Sequence, residues 1–179
     1  QLLDIARETL GSDVPLIRGD MRDLPFSQQF DVVMNYFTSF GYFQSQEENQ
    51  QVVHEMVRVL KPGGHFFIDY MNKDWAIGNI ETETHRMVEG FDVCERRWIE
   101  ADGTRINKAT IIKRGDDEIK HVGESVKLYT QGEFIDMLER GGVQVEATFG
   151  NYDETPISPD QPRMMIVGRY AAAEPLLAR

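Results

Sequence analysis

Three polar residues stand at the ends of short apolar stretches, where their side chains could bind a small ligand. Asp20 and Asn35 each follow such a stretch, and Asp69 lies near the end of a third. Ligands in open α/β sheets bind beyond the carboxyl ends of the strands, so we expect these residues to share one edge of a sheet. Their carboxylate and amide groups could then accept hydrogen bonds from one ligand.

An aromatic segment follows Asn35, and residues 36–43 read YFTSFGYF. Aromatic rings suit a site for a cationic ligand, because their faces attract cations and exclude water. Four of these residues could line such a site: Tyr36, Phe37, Tyr42 and Phe43. The alternative is that two of the rings fill the core, and we favour the core for Phe40 and Phe43.

A strand–helix–strand unit should position these groups. Residues 30–34 carry no charge except Asp31 and are rich in β-branched side chains, which predicts an interior strand covered on both faces. Ser45 followed by Glu48 is a capping-box pattern that predicts the start of a helix. Pro-Gly-Gly at residues 62–64 should end that helix, and residues 65–70 should form the second strand of a right-handed crossover.

The other core elements follow from similar patterns. They are a helix over residues 1–10, a short strand over 14–18, a helix after the second capping box at Thr130 and Glu133, and strands over 143–149 and 164–170. The last two strands are joined by a polar loop and should form an antiparallel pair that closes the sheet.

Residues 81–129 have a different character, because polar and apolar residues alternate there. A hairpin signal lies at residues 101–104 and a second turn at residues 115–117. This pattern predicts an antiparallel insertion of three or four strands.

The composition excludes several classes of partner. The formal net charge of −11 and the pI near 4.8 disfavour nucleic acid and anionic membranes, because the long-range field repels both. The single cysteine, Cys94, cannot form an internal disulfide, and a reducing cytoplasm is the simplest location.

No spacing of histidine and cysteine suggests zinc, so we predict no metal. His54 should be a surface residue, and His85, Arg97 and His121 should be surface residues or cross-strand partners. Acidic pairs such as Glu47-Glu48 fit a helix start or a turn better than a metal site.

Three motifs in this order resemble the class I S-adenosylmethionine-dependent methyltransferases. They are GDMRDLPF at residues 19–26, FDVV at 30–33 and LKPGG at 60–64. The loop at residues 37–42, and the insertion with residues 126–130 at its end, also resemble the branch that N-methylates amino sugars.

The resemblance implies an α/β fold with a Rossmann-like doubly wound sheet of strand order third, second, first, fourth, fifth, seventh, sixth, and S-adenosyl-L-methionine as cofactor. Residues 1–80 and 130–170 would form the core, residues 81–129 an antiparallel β insertion that covers the substrate, and residues 171–179 a tail. The family's glycine-rich cofactor loop has no counterpart here, since no Gly-x-Gly occurs among the 15 glycines. We therefore expect a form truncated at its N terminus, with the first strands missing, and inactive by itself.

The same resemblance assigns cofactor-binding roles. Asp20 would accept a hydrogen bond from the adenine amine while the Met21 backbone N–H meets the ring, and Asn35 would face the cofactor's amino group. Tyr36 and Phe37 would line the same site. The alternative is that Asp20 and Asn35 are turn residues.

Tyr42 is the candidate catalytic residue, because it stands where the amino-sugar enzymes carry a histidine proposed as a base. Tyrosine is a weaker base at neutral pH. Alignment of nucleophile, methyl carbon and sulfur supplies most of the catalysis, and a general base is only sometimes needed. Substrate contacts would come from Tyr42 and from Tyr70, Asn72 and Trp75, which end or follow the second strand of the crossover.

The sequence thus predicts a methyltransferase acting on a small-molecule amine or hydroxyl, with a homodimer left open. One rival is a noncatalytic binding or scaffold protein that keeps the sheet. A second rival, a nicotinamide oxidoreductase, explains the motifs at residues 19–21 and 61–63 poorly.

Overall fold

The computed structural model describes residues 2–115 and 117–171. In these residues the helices are Leu2–Leu10 (α1), Gln46–Arg58 (α2), Lys73–Gly78 (α3) and Gln131–Arg140 (α4). The strands are Phe30–Asn35 (β1), Leu60–Met71 (β2), Glu83–Val88 (β3), Phe91–Ile99 (β4), Arg105–Arg114 (β5), Asp117–Lys127 (β6), Val143–Phe149 (β7) and Arg163–Tyr170 (β8).

The core sheet has the strand order β1-β2-β8-β7. β1 and β2 are parallel, whereas β8 runs antiparallel to both β2 and β7. This is the fourth, fifth, seventh, sixth order that the resemblance implied, and the closing antiparallel pair is confirmed. Asn35, the last residue of β1, lies opposite Ile68, and β2 continues for three residues beyond it to Met71.

The predicted strand at residues 14–18 is absent, and β1 is not interior. Within the described residues, β1 pairs with β2 alone and residues 14–18 pair with no strand. A strand needs a ladder partner for its backbone groups, and none lies beside residues 14–18. The predicted cover on both faces of β1 is also wrong, because Val32 is 42% and Met34 54% exposed on one face.

Both capping boxes are confirmed. The Ser45 hydroxyl accepts from Glu48 N at the start of α2, and the Thr130 hydroxyl accepts from Glu133 N at the start of α4. The end of α2 was predicted too late, because the helix stops at Arg58 and Pro-Gly-Gly lies inside β2. There the register against β1 is interrupted, so these residues form an irregularity in the strand.

The core lies between the sheet and the helices α2 and α4. Phe40 is buried in this core, as predicted, and packs against three other aromatic rings, those of Tyr70, Tyr129 and Phe134. Other buried members come from α2, β2, α4 and β8, among them Val53, Leu60, Phe66, Ile68, Met137, Leu138 and Ile166.

The insertion forms a separate antiparallel sheet of order β3-β4-β5-β6, as predicted, with a turn between β4 and β5 at residues 101–104. Asp116, in the second predicted turn, and residues 172–179 of the predicted tail lie outside the described residues. Lys127 N donates to Gly41 O at 2.9 Å, which joins the insertion to the loop after β1. None of the described helices is long and apolar enough to cross a membrane.

Candidate functional site

The loop after β1 has an unusual backbone. Phe37 and Thr38 both have positive φ, at 54° and 56°. This region is uncommon for residues other than glycine, especially for a β-branched residue such as Thr38. Such conformations persist only where the surrounding structure holds them, and they cluster at functional sites.

Asp69, near the end of β2, holds this loop. Its carboxylate accepts from Phe37 N at 3.1 Å, and its backbone carbonyl accepts from Thr38 N at 3.0 Å. The same carboxylate, which has no exposed surface, accepts from the Tyr152 hydroxyl at 2.7 Å and from Arg163 Nε at 2.6 Å. Asp69 therefore ties the loop after β1 to the loop between β7 and β8.

The loop presents two aromatic rings at the end of the sheet. Tyr36 packs against Phe67, with ring centroids 5.1 Å apart, and against Phe37 at 5.8 Å. Phe37 itself is 77% exposed. An apolar side chain this exposed on a constrained backbone is available to contact a ligand.

A cavity of about 310 Å³ separates this loop from the insertion. Phe37, Thr38 and Tyr42 line it from the loop side. The insertion supplies a cross-strand row of charged residues, in which Arg97 lies opposite Lys108 and Lys108 opposite Glu124. Lys108 Nζ lies 2.9 Å from a Glu124 carboxylate oxygen.

Tyr42 faces this row of charges. Partial burial raises the pKa of its phenol, and the negative charge of Glu124 raises it further. The phenol of Tyr42 is therefore protonated at physiological pH and can donate a hydrogen bond, and a catalytic role for Tyr42 stays a prediction.

A second cavity of about 640 Å³ adjoins the first. The two share Met71, Arg97 and Ile106 in their walls. Trp75 lines the second cavity, together with Glu81 at the start of the insertion. One cleft thus runs from Tyr42 to Trp75 along the insertion.

Two of the four predicted substrate residues line the cleft, namely Tyr42 and Trp75. The other two, Tyr70 and Asn72, do not. Tyr70 is fully buried among aromatic rings, and its hydroxyl donates to Lys127 O. Asn72 caps α3 and donates to Ser158 O and Gln161 O at 2.8 Å each. Both have structural contacts here, and neither is retained as a substrate contact.

The predicted cofactor residues differ in their burial and in their hydrogen-bond partners. Both carboxylate oxygens of Asp20 accept hydrogen bonds from Arg22, whose guanidinium also pairs with Glu48 and lowers the pKa of Asp20 to about 2. Met21 packs against the core. Asn35 is buried, and its side-chain oxygen has no hydrogen-bond partner among the described residues.

Sequence reasoning missed the charged row and the partners of Asp69. Arg97 was expected to be a surface or cross-strand residue, and Lys108 and Glu124 were not singled out. The sequence marks these residues only by the alternation of polar and apolar side chains. That alternation shows which residues lie side by side only when the registers of both hairpins are known. Arg163 is 94 residues from Asp69, and no local pattern links the two.

The fold is that of an α/β protein with a cleft between the carboxyl ends of its core strands and an inserted antiparallel sheet. Residues 1–64 match the family model described as "Methyltransferase domain". The recognition of a class I S-adenosylmethionine-dependent methyltransferase in the sequence motifs is confirmed, and the family's cofactor is S-adenosyl-L-methionine.

Two relatives give a more particular likeness. The chain is 26% identical over 166 residues to a cypemycin N-terminal methyltransferase from Streptomyces sp, covering 91% of this chain and 67% of the relative. It is 26% identical over 153 residues to the dTDP-3-amino-3,4,6-trideoxy-alpha-D-glucopyranose N,N-dimethyltransferase of Streptomyces venezuelae, covering 81% and 63%. The chain thus spans about two thirds of the length of these relatives.

A solved S-adenosylmethionine-dependent methyltransferase from Clostridium acetobutylicum has the same fold. Its TM-score is 0.79 at 13% identity, and the match covers 94% of this chain and 70% of that one.

The residues present fit part of this cofactor. The Asn35 side-chain oxygen is a buried acceptor in need of a donor, and Asp20 is an ionised acceptor. The rings of Tyr36 and Phe37 suit a sulfonium, because aromatic faces attract cations.

Proposed function

We propose that the protein methylates a nitrogen atom of a small-molecule amine bound in the cleft between the aromatic loop and the insertion. The observation that carries the proposal is the juxtaposition of Tyr42 with Glu124 across the cavity of about 310 Å³. The acceptor would lie between the two, beside the exposed ring of Phe37.

Nitrogen is favoured over a hydroxyl on two grounds. One relative is named as an N,N-dimethyltransferase, and the other is named as an N-terminal methyltransferase. A carboxylate such as Glu124 also attracts an ammonium group, because the charges are opposite and partly shielded from water. Lys108 and Arg97 would bind a hydrogen-bond acceptor or an anionic group elsewhere on the same substrate.

Catalysis would depend on alignment. The cofactor supplies a methyl group on a positively charged sulfur, which is a good leaving group. The protein then has to hold the nitrogen in line with that carbon, and correct positioning alone removes several kcal/mol from a barrier. Asp69 would contribute by fixing the backbone of Phe37 and Thr38, and Glu124 would orient the amine. The amine would react in its unprotonated form with its lone pair free, and the methylated ammonium would release a proton to water. Tyr42 would donate its hydrogen bond to another polar group of the same molecule.

The open edge of β1 bears on cofactor binding. Val32 and Met34 are exposed beside it, and an apolar cavity of about 590 Å³ lies between residues 15 and 30. We propose that a further strand of polypeptide, with the family's glycine-rich loop, pairs with this edge and completes the cofactor site. The 179-residue chain alone would then bind the cofactor weakly and be inactive.

The test is calorimetry with S-adenosylhomocysteine, followed by mass spectrometry of methyl transfer to a panel of small amines and matched alcohols. Both use the longest form of the protein that the cell makes. Binding with methylation of amines supports the proposal. Binding without any transfer supports the noncatalytic rival, and methylation of alcohols alone contradicts nitrogen as the acceptor.

A variant separates the acceptor site from the cofactor site. Glu124→Gln should raise KM for the amine about tenfold or more, which corresponds to about 1.4 kcal/mol, and leave binding of S-adenosylhomocysteine unchanged. Glu118→Gln, on the same strand but outside the cleft, is the control. Equal KM values in the two variants would show that Glu124 does not bind the amine. A cytoplasmic location and a homodimer remain predictions.

A further inference from the structure

Three side chains that commonly bind metals converge on the insertion, on the face opposite the cleft. His85 on β3 lies directly opposite Cys94 on β4, and Glu83 lies two residues before His85. Residues two apart on a strand share a face, so all three side chains project together. Arg97, which lines the cleft, has the opposite parity to Cys94 and points to the other face.

We propose that Glu83, His85 and Cys94 form a binding site for a divalent transition-metal ion of the zinc class. The three ligand atoms lie within 4.8 Å of one another. His85 Nε2 is 2.9 Å from Glu83 Oε1 and 3.6 Å from Cys94 Sγ.

These separations are close to those that a bound zinc ion imposes. With zinc bonds of about 2.0–2.1 Å to nitrogen, 2.0–2.2 Å to oxygen and 2.3 Å to sulfur in a tetrahedron, the N···O edge is about 3.4 Å and the N···S edge about 3.6 Å. The Cys94 thiol already has the required separation from His85 Nε2. Glu83 must move by about half an ångström, which an exposed glutamate can do by rotating its side chain.

The surroundings resemble the outer shell of a metal site. The second ring nitrogen of His85, Nδ1, faces a carboxylate oxygen of Asp92 at 3.8 Å. Histidines that bind metals commonly direct their other nitrogen at a carboxylate, which orients the ring. Arg96 Nε donates to the second oxygen of Glu83 at 2.7 Å, which leaves Oε1 directed at His85.

The ligand types select the metal. A thiolate with an imidazole suits Zn²⁺ and its substitute Co²⁺, whereas Mg²⁺ and Ca²⁺ prefer sites made of oxygen atoms. Three protein ligands leave a fourth position for water. Because the ligands come from both β3 and β4, the ion would link β3, at the edge of the sheet, to its neighbour.

The test is titration of the chelator-treated protein with Co²⁺, followed by displacement with Zn²⁺. We expect one equivalent of Co²⁺ to bind and to give the near-ultraviolet absorption of a cobalt–thiolate bond. Cys94→Ser should abolish this absorption, and His85→Gln should prevent stoichiometric binding. Asp92→Asn should weaken binding by about 10–100-fold, since it removes only the orienting carboxylate.

His121→Gln is the matched control, because His121 lies on the same sheet two strands from Cys94 and outside the cluster. Circular dichroism of each variant checks that the sheet has formed. The absence of thiolate absorption in the folded wild-type protein would overturn the proposal, and so would equal binding by Cys94→Ser. The experiment is independent of methyl transfer.

Discussion

Asp69 is a fully buried charged side chain whose contacts bear on the geometry of the cleft. It binds the backbone of Phe37 and Thr38, where φ is positive, and it pairs with Arg163 from the start of β8. A buried carboxylate is tolerated when a cation and hydrogen-bond donors compensate its charge. The same compensation fixes the loop, so the stability of this region and the position of Phe37 are coupled.

Asp69→Asn should therefore destabilise the protein by about 3 kcal/mol, because it leaves the charge of Arg163 without its partner. Asp31→Asn is the control. Asp31 pairs with Lys61 at the surface, where removing an ion pair costs about 0–1 kcal/mol. Urea unfolding of both variants measures the difference, and similar losses in the two would show that the buried pair has no special role.

The residue-scale contacts were only partly predictable. The motif order placed Asp69 at the edge of the sheet, since that follows from where a strand ends. Its partners Tyr152 and Arg163 are brought to it by the antiparallel return of β8, which local patterns do not encode. The cluster of His85 and Cys94 was missed for the same reason, because cross-strand register decides it.

At the scale of elements, α2 anchors the segment that follows Asp20. The carboxylate of Glu55 accepts from Leu24 N at 2.7 Å and from Arg58 Nε at 2.6 Å. Arg58 in turn donates to the carbonyls of Leu24 and Phe26 at 2.8 and 2.7 Å. One ion pair on the helix thus satisfies backbone groups of a segment that has no strand partner.

This pair should make stability depend on pH. The hydrogen bond from Arg58 is the main cause that holds the pKa of Glu55 below its usual range. A carboxyl whose pKa is lower in the folded state stabilises that state above its unfolded pKa of about 4.3, and the stabilisation is lost as pH falls through the folded value.

Glu55→Gln should flatten the fall in unfolding free energy on acidification from about pH 5 downward. Arg58→Gln should flatten it too, because it removes the donor to the same carboxylate. Denaturant unfolding at a series of pH values measures the slope. If the unfolding free energy of Glu55→Gln fell with pH as steeply as that of the wild-type protein, the pair of Glu55 and Arg58 would not cause the pH dependence of stability.

Elements with local start signals were predicted well. Ser45–Glu48 and Thr130–Glu133 each identify a helix start, because the capping contacts lie within four residues. Residues 14–18 have an apolar strand pattern but form no strand. Strand formation needs a neighbour, which a local pattern cannot supply.

At the scale of the whole molecule, the insertion meets the core at Gly41. Its φ is +86°, and a Cβ added there would lie 2.7 Å from the Tyr70 hydroxyl and 3.3 Å from Lys127 O. Arg105 from the insertion also donates to Gly41 O and Phe43 O. This junction sets the distance between the two walls of the cleft.

Gly41→Ala should cost the backbone penalty of about 1–2 kcal/mol for a left-handed residue and a further loss from the close contacts. Gly90→Ala separates the two effects, because Gly90 has φ +82° and open space around it. Thermal unfolding of both variants compares them. Equal destabilisation would show that the junction tolerates a methyl group.

The architecture of the whole chain was predictable through the motif order, which gave the sequence of strands in the core sheet. The open edge of β1 follows from the first strands that the resemblance implies to be missing, whereas its apolar pattern alone predicts an interior strand, because such a pattern does not say whether both neighbours are present. Val32 and Met34 have apolar side chains typical of a covered strand, but they lie on an exposed face.

All four strands of the insertion come from one uninterrupted stretch of sequence, Glu83–Lys127. The stretch carries the row of Arg97, Lys108 and Glu124 as a unit, while the core supplies the aromatic loop and the frame. Under the proposed function, exchanging this segment between homologous enzymes is expected to transfer the preference for an acceptor and to leave binding of the methyl donor unchanged.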